Sequence, residues 1–149
     1  MQGVFGKSSP HIVVWEPERA WYRRLRKRLP TATLTSVTLR DRLEEAVTEF
    51  PRAAVLIDVP PDGSEERLAT LCRLSSRRVT TAAVVLPRAL WRHRCWFYQA
   101  GASWVQATPR VASAMIRLFE RHFESAGTST AETWHGEMLT SIPRGPTPS

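Results

Sequence analysis

A chain of 149 residues, 42% of them hydrophobic and 23% charged, has room for one globular domain with a substantial core. No apolar run approaches the roughly 18 residues of a membrane-spanning helix. The first ten residues also lack the apolar segment of a signal peptide, so we expect a cytoplasmic protein without a membrane span. The formal net charge of +7 is carried almost wholly by arginine, which indicates an acidic partner, although biased codon usage would give the same composition.

Strands and helices alternate along the first half of the chain. The β-branched run His11–Val14 predicts a strand. Glu16-Pro17-Glu18 then opens a helix that ends at Pro30, because proline and acidic residues suit a first helical turn. The next three elements are predicted to be a strand, a helix and an apolar strand, over Ala32–Val37, Leu39–Phe50 and Ala53–Ile57.

The same alternation continues to about residue 123. After a helix that begins at Ser64, the chain is predicted to form a strand, a helix, a strand and a helix, over Thr80–Leu86, Arg88–Ala100, Ser103–Ala107 and from Pro109 or Arg110 to Phe123. Five strands alternating with five helices predict a doubly wound parallel sheet with helices on both faces. We expect residues 1–9 to be flexible, 10–123 to form the domain, and the Gly-, Ser-, Thr- and Pro-rich residues 124–149 to be a disordered tail.

Asp58 is the candidate functional residue with the most informative position. It follows the apolar run Ala53–Ile57 and precedes a loop rich in proline and glycine. An open α/β sheet places its reactive groups at this end of a parallel strand. Cys72 and Cys95 have neither zinc spacing nor a CxxC pattern, so we expect two buried, inert thiols.

Three motifs, taken in their order and spacing, resemble the receiver domain of bacterial two-component response regulators. Val55-Leu56-Ile57-Asp58 is similar to the family's strand-three segment, and Val13-Val14-Trp15-Glu16 to its strand-one segment. Ala100-Gly101-Ala102-Ser103, followed by Ala107-Thr108-Pro109, is similar to the family's Ala-Gly-Ala turn and terminal Lys-Pro. The resemblance implies a flavodoxin-like (CheY-like) fold over residues 10–123, with five parallel strands in the order 2-1-3-4-5.

The resemblance also implies roles for individual residues. In such receivers an aspartate accepts the phosphoryl group and two acidic side chains after strand one hold Mg²⁺. Asp58 matches the phospho-acceptor and Glu16 the main metal ligand, which leaves at most a weak Mg²⁺ site. The remaining positions are degenerate. Trp15 replaces the second acidic residue, and Pro87 replaces the hydroxyl residue. Val105 replaces the reporting aromatic residue, and Thr108 replaces the lysine. Because Lys7 and Lys27 are the only lysines, we expect a pseudo-receiver.

The predicted fourth helix carries a tryptophan on its outer side. At 100° per residue, Trp96 falls beside Arg92 and opposite the apolar side of the helix. An outward tryptophan flanked by arginine is typical of an interface, although single exposed aromatic residues are common. The resemblance implies a protein partner or a second subunit on the face of helix four, strand five and helix five. The partner-binding residues are then Arg92, Trp96, Ile116 and Phe123. The alternative is that Ile116 and Phe123 pack on helix one.

The basic face of helix one and a histidine of helix five are the two remaining candidates for ligand binding. The basic face of helix one, formed by Arg19, Arg23, Arg26 and Lys27, lacks a helix-turn-helix partner and a series of stacking aromatic residues, so nucleic acid is not the favoured ligand. His122, on the apolar stripe of helix five, is interpreted as a core histidine with satisfied hydrogen bonds.

The sequence as a whole predicts a phosphorylation-independent signalling or scaffolding module that binds other proteins, and its positive charge favours an acidic partner. It predicts no enzymatic activity, because no Cys/His or Ser/His pairing and no Gly-rich phosphate loop is evident. It predicts no cofactor beyond weakly held Mg²⁺. Two alternatives stay open: a non-standard phospho-acceptor that uses Asp58 and Glu16, and a basic module that binds nucleic acid or an acidic ligand.

Overall fold

The computed structural model describes residues 10–77, 81–107 and 109–125. The predictions for the first nine residues, for Thr80, for Thr108 and for residues 126–149 lie outside this part of the chain. Residues 124 and 125, which were assigned to the disordered tail, belong instead to the last helix. Five parallel strands form a central sheet: β1 (His11–Trp15), β2 (Thr33–Val37), β3 (Ala54–Asp58), β4 (Ala82–Val85) and β5 (Trp104–Gln106). Their order is β2-β1-β3-β4-β5, which confirms the predicted topology.

Helices connect the strands on both faces of the sheet. They are α1 (Ala20–Arg28), α2 (Arg40–Glu49), α3 (Ser64–Ser76), a 3₁₀ helix (Arg88–His93) that runs directly into α4 (Arg94–Gln99), and α5 (113–125). The predicted fourth helix is therefore split, and its first turn is closed by a bond from the Leu90 N–H to the Pro87 carbonyl oxygen, 2.9 Å long.

Alternating strand residues feed two separate hydrophobic clusters, one on each face of the sheet. Val13, Val55 and Val84 point to the cluster under α2, α3 and α4, whereas Val14 and Leu56 point to the cluster under α1 and α5. Because the central strands are covered on both faces, they are almost continuously apolar. Each fully buried aliphatic side chain contributes about 1.5–3 kcal/mol to the free energy of unfolding.

A glycine turn joins α4 to β5, as the Ala-Gly-Ala motif suggested. Gly101 has a φ of 120°, a conformation that L side chains rarely adopt. A Cβ atom at this position would lie 1.7 Å from the Ser75 Oγ atom. The Ser75 hydroxyl donates to the Ala100 carbonyl oxygen at 2.9 Å, so the turn is also fixed to α3.

The burial of two residues corrects the sequence-based expectations. Ile116 is only 6% exposed and belongs to the same cluster as Trp21 of α1, so its assignment as a partner contact is wrong. Phe123 is half-buried against that cluster. The broad apolar face of α5 therefore serves the core, because α1 packs beside it on the same face of the sheet.

The prediction for the two cysteines is wrong, whereas the prediction for His122 is confirmed. Cys72 and Cys95 are exposed, so the prediction of buried thiols is wrong. On α3 the inward positions are Arg67, Thr70, Leu71 and Leu74, and Cys72 falls outside that stripe. His122 is satisfied as predicted: its Nε2 donates to the Arg52 carbonyl oxygen at 2.6 Å, and its Nδ1 lies 2.9 Å from the Thr81 Oγ1 atom.

Candidate functional site

The candidate site lies at the carboxyl ends of β1 and β3, the two central strands. Asp58 is the last residue of β3, and Glu16 directly follows β1. The register pairs Trp15 with Ile57, which brings the next residue of each strand to the same edge. The negative charge of Glu16 acts on the Asp58 carboxyl group, as expected of neighbours. The structure thus brings together the two carboxylates that the sequence singled out.

Glu16 is committed to the start of α1. Its side chain is 1% exposed. One carboxylate oxygen accepts from the Trp21 backbone N–H at 2.7 Å, and the other accepts from the Tyr22 backbone N–H at 3.0 Å and from the Ser36 hydroxyl at 3.3 Å. These bonds satisfy two of the N–H groups that a helix leaves unpaired at its N-terminus. They also explain why α1 begins at Ala20 rather than at the predicted Glu16.

Asp58 is half-buried, and its surroundings oppose its negative charge. Burial is the main cause that raises the pKa of its carboxyl group, and the nearby charge of Glu16 raises it further. The guanidinium groups of Arg24 and Arg67 act in the opposite direction without reversing the shift. The ionised form, which would attack a phosphoryl group, is therefore less favoured than it is for an aspartate in water.

Arg67 is the residue of this site that the sequence analysis missed. Its guanidinium carbon lies 4.1 Å from the centre of the Trp15 ring, and its side chain is only 11% exposed. One terminal nitrogen donates to a Glu66 carboxylate oxygen at 2.9 Å. The Nε atom is buried and has no hydrogen-bond partner in the structure. Arg67 is thus an internal cation at the end of the sheet.

Trp15 and Gly63 make room for this cation. The Trp15 ring is 1% exposed, and its indole nitrogen donates to the Thr38 carbonyl oxygen at 3.3 Å. Its face therefore offers a fixed surface for cation–π contact. At Gly63, an added Cβ atom would lie 2.9 Å from the Arg67 Nη1 atom and 2.7 Å from the Pro60 Cγ atom. The spacing of Arg67, Leu71 and Leu74 along one helix face was the only sequence signal that Arg67 points inward.

Two further positions at which the sequence departs from the receiver pattern, Pro87 and Val105, lie within the described residues. Pro87 is half-buried after β4 and has no backbone N–H to donate. Val105 is buried in the cluster under α4, whereas Trp104 packs against the opposite cluster. The side chain that replaces the reporting aromatic residue is therefore a small one inside the core. Thr108 lies outside the described residues.

The residues present do not fit a magnesium ion of the kind that receivers hold. Mg²⁺ takes an octahedral set of oxygen ligands. Trp15 offers none, both Glu16 oxygens hold α1, and the Arg67 guanidinium acts on Asp58. In the part of the chain that the structure describes, no group of three or more His, Cys, Asp or Glu residues could hold a metal ion.

Trp96 stands on the outer side of α4, as the helical spacing predicted. It is 54% exposed, and its ring stacks on the His93 ring with the centres 4.3 Å apart. Arg92 beside it is also exposed, whereas Phe97 on the inner side is 1% exposed. An aromatic side chain that is held by a stacked neighbour loses little freedom on binding, which suits it to a contact surface.

The basic face of α1 is exposed along its whole length, with Arg19, Arg23, Arg26 and Lys27 all in contact with solvent. Arg19 and Arg26 lie over the Tyr22 ring, 4.1 and 5.8 Å from its centre.

None of the described helices is long and apolar enough to cross a membrane.

Comparison with known proteins places the chain by its fold. No family model and no curated protein matches the sequence. Among solved structures, a CheY-like protein (TadZ) from Pseudomonas aeruginosa PAO1 matches with a TM-score of 0.62 and 13% identity over 77% of this chain and 94% of that one. The receiver domain of the TMAO respiratory system response regulator TorR matches with a TM-score of 0.60 and 18% identity over 77% of this chain and 96% of that one. The domain therefore has the flavodoxin-like fold of response-regulator receiver domains.

Proposed function

We propose that the chain is a signalling or scaffolding module that binds another protein and does not depend on phosphorylation of Asp58. The observation that carries the proposal is the exposed Trp96, stacked on His93 in an arginine-rich segment of a receiver-like fold. A partly exposed tryptophan that is flanked by arginine has the composition of an interface anchor.

The chemistry of the Asp58 edge supports independence from phosphorylation. Glu16 is occupied as a helix cap, and the pKa of Asp58 is raised by burial. Pro87 has no hydroxyl group to contact a phosphoryl oxygen, and no lysine follows Lys27 to pair with it. The receiver fold thus keeps its shape here without the groups that acyl-phosphate chemistry needs.

The charges around Trp96 favour an acidic partner. Between Arg67 and Phe119 the sequence contains arginine but neither aspartate nor glutamate. Arg92 and Arg94 lie within four residues of Trp96 and are exposed, as is Arg88 at the start of the 3₁₀ helix. An acidic surface with an apolar patch would pair with these guanidinium groups while covering the indole ring.

Beryllofluoride, which mimics an acyl phosphate on an aspartate, tests the first half of the proposal. Amide NMR spectra are recorded with Mg²⁺ and then with beryllofluoride, with Asp58→Asn as the control. We expect no shift that depends on Asp58. Shifts at Asp58, Glu16 and α4 that disappear in the variant would show a working phospho-acceptor and refute independence from phosphorylation.

Truncation of the exposed tryptophan tests the second half. The chain is immobilised, and bound proteins from the cells it comes from are eluted with rising salt, for the wild type, Trp96→Ala and Leu39→Ala. Leu39 is the matched control because it is 62% exposed and precedes α2. We expect a salt-tolerant partner that Trp96→Ala loses and Leu39→Ala keeps. Equal capture by all three would exclude Trp96 as an anchor.

A second copy of the chain is the other occupant of the face formed by α4, β5 and α5. Sedimentation velocity over a range of concentrations distinguishes the two. A dimer that Trp96→Ala dissociates would assign this face to self-association, whereas a monomer leaves it to a different protein.

The exposed basic face of α1 favours one alternative, a module that binds an acidic ligand or nucleic acid. Its affinity would fall steeply with salt because the contacts would be ion pairs. Replacing Arg23 and Lys27 with glutamine would abolish such binding, and Trp96→Ala would not affect it.

A further inference from the structure

The Arg67 guanidinium is a buried cation at the end of the sheet, over the Trp15 ring. It belongs to α3 but reaches the ends of β1 and β3, where it covers the Trp15 ring at 4.1 Å and acts electrostatically on Asp58. Burial lowers the pKa of the Arg67 guanidinium, and the negative charges of Glu66, Asp58 and Asp62 offset that shift only in part. Of these three carboxylates, Glu66 pairs with the guanidinium directly, at 2.9 Å.

We propose that Arg67 is a built-in cation that takes the place of a divalent metal ion beside Asp58 and keeps such ions out of the site. The inference rests on the proposed loss of phosphorylation at this edge of the sheet. It goes further by naming the group that closes the site.

Two physical reasons make Arg67 effective at excluding a divalent metal ion from the site. A guanidinium group stays charged at every pH at which the protein is folded, so it repels a divalent ion permanently. The side chain is also wedged between the Trp15 ring and the loop at Gly63, where a single added Cβ atom would lie 2.9 Å from its Nη1 atom. A metal ion would have to displace this side chain from both contacts.

The unpartnered Nε atom supports a role for the charge of Arg67. A buried N–H group without an acceptor lowers the free energy of unfolding by about 1–3 kcal/mol. A methionine or leucine at this position of α3 would avoid that penalty while packing on Trp15. The guanidinium is instead explained by the negative charges of Glu66, Asp58 and Asp62, which act on it.

Removal of the charge should open the site to metal. Arg67→Met keeps the length of the side chain but leaves the carboxylates of Asp58, Asp62 and Glu66 without their internal cation. We expect this variant to bind Mn²⁺ beside Asp58 at least ten-fold more tightly than the wild type does. Arg73→Met is the matched control, because Arg73 lies on the same helix but pairs on the surface with Glu44 at 2.9 Å.

Paramagnetic broadening by Mn²⁺ in amide NMR spectra of the full chain measures this directly. The expected result is broadening confined to residues 58–63 in Arg67→Met, reversed by excess Mg²⁺, and none there in the wild type or in Arg73→Met. Arg67→Lys, which keeps the charge, should resemble the wild type and serves as the test if the methionine variant does not fold.

Three results would overturn the inference. They are broadening at Asp58 in the wild type, an Arg67→Met variant that folds but gains no affinity, and an Arg67→Lys variant that binds Mn²⁺ as the methionine variant should. The proposed function fails separately, through a beryllofluoride response of the wild type at Asp58. A wild type that binds Mn²⁺ without responding to beryllofluoride would contradict only the role of Arg67.

Discussion

Asp58 combines a position at the carboxyl end of a parallel strand with surroundings that disfavour its charge. It lies at the end of a central parallel strand, as a receiver aspartate does. Its carboxyl group nevertheless faces burial and the charge of Glu16, which raise its pKa, and the two arginines nearby compensate only in part. The ionised side chain is therefore a source of instability at neutral pH.

We expect Asp58→Asn to stabilise the protein at pH 7 by about 0.5–1 kcal/mol, and to raise the melting temperature by a few degrees. Asparagine keeps the shape of the side chain and removes the unfavourable charge. The gain should shrink as the pH falls towards the ordinary aspartate value of 3.8, where Asp58 itself becomes protonated. Urea unfolding at a series of pH values measures both. A destabilised variant at pH 7 would mean that the arginines outweigh burial.

Glu16 differs from Asp58 because its buried carboxylate stabilises the fold by capping α1. We expect Glu16→Gln to lower the free energy of unfolding by about 1–2 kcal/mol, since one amide oxygen cannot replace two carboxylate oxygens that cap α1. Glu18→Gln, at an exposed position two residues later, should change stability by less than about 0.5 kcal/mol. Equal effects of the two substitutions in urea unfolding would show that the cap does not contribute.

At the scale of the element, helical spacing predicted the orientation of α4 but not its geometry. The spacing of 100° per residue correctly predicted that Phe97 points inward and Trp96 outward. It could not show that the segment begins as a 3₁₀ helix, since half-buried Leu90 and Trp91 suit either geometry. For α5 it revealed a broad apolar face without showing what covers it. Ile116 was assigned to a partner because the packing of α1 beside α5 depends on the whole sheet.

Trp96 and Phe97 are neighbours on α4, but we expect Trp96 to serve binding and Phe97 to stabilise the fold. We expect Trp96→Ala to change the free energy of unfolding by less than about 0.5 kcal/mol, because the ring is 54% exposed. Phe97→Ala should cost about 3–5 kcal/mol, because it leaves a cavity between α4 and the sheet. Urea unfolding gives both values. A large loss of stability in Trp96→Ala would make its binding test ambiguous and would show that the His93 stack supports the fold.

At the scale of the whole molecule, the alternation of strands and helices predicted the sheet and its order because each element carries its own periodic signal. The contact between Trp15 and Arg67 carries no such signal, since the two residues are far apart in sequence and meet only after the sheet has formed. The fold was therefore predictable from local patterns and the chemistry of the site only in part. The strand order alone predicts that Glu16 and Asp58 lie at the same edge of the sheet. It does not predict that the Arg67 guanidinium lies there too.

The stability of the molecule as a whole should depend on pH through two groups with opposite effects. Burial lowers the pKa of His11 below its ordinary value of 6.5, and Glu49 raises it only in part. The unfolded chain then binds the proton more tightly, so the contribution of His11 to stability is complete above pH 6.5 and is lost as the pH falls below it. Asp58 acts in the other direction, since its raised pKa makes its contribution decrease as the pH rises from 3.8.

Substitution of His11 isolates the contribution of its imidazole to the pH dependence of stability. His11 begins β1, stacks on Phe50 with the ring centres 3.9 Å apart and forms a 2.9 Å hydrogen bond with Thr35 through its Nε2 atom, so protonation must disturb both contacts or bury a charge. We expect the free energy of unfolding of the wild type to fall between pH 6.5 and 5, and that of His11→Asn to fall less. His93, which is half-buried beside Trp96, provides the matched control as His93→Asn. If all three proteins lose stability in parallel over this range, His11 does not couple the sheet to pH.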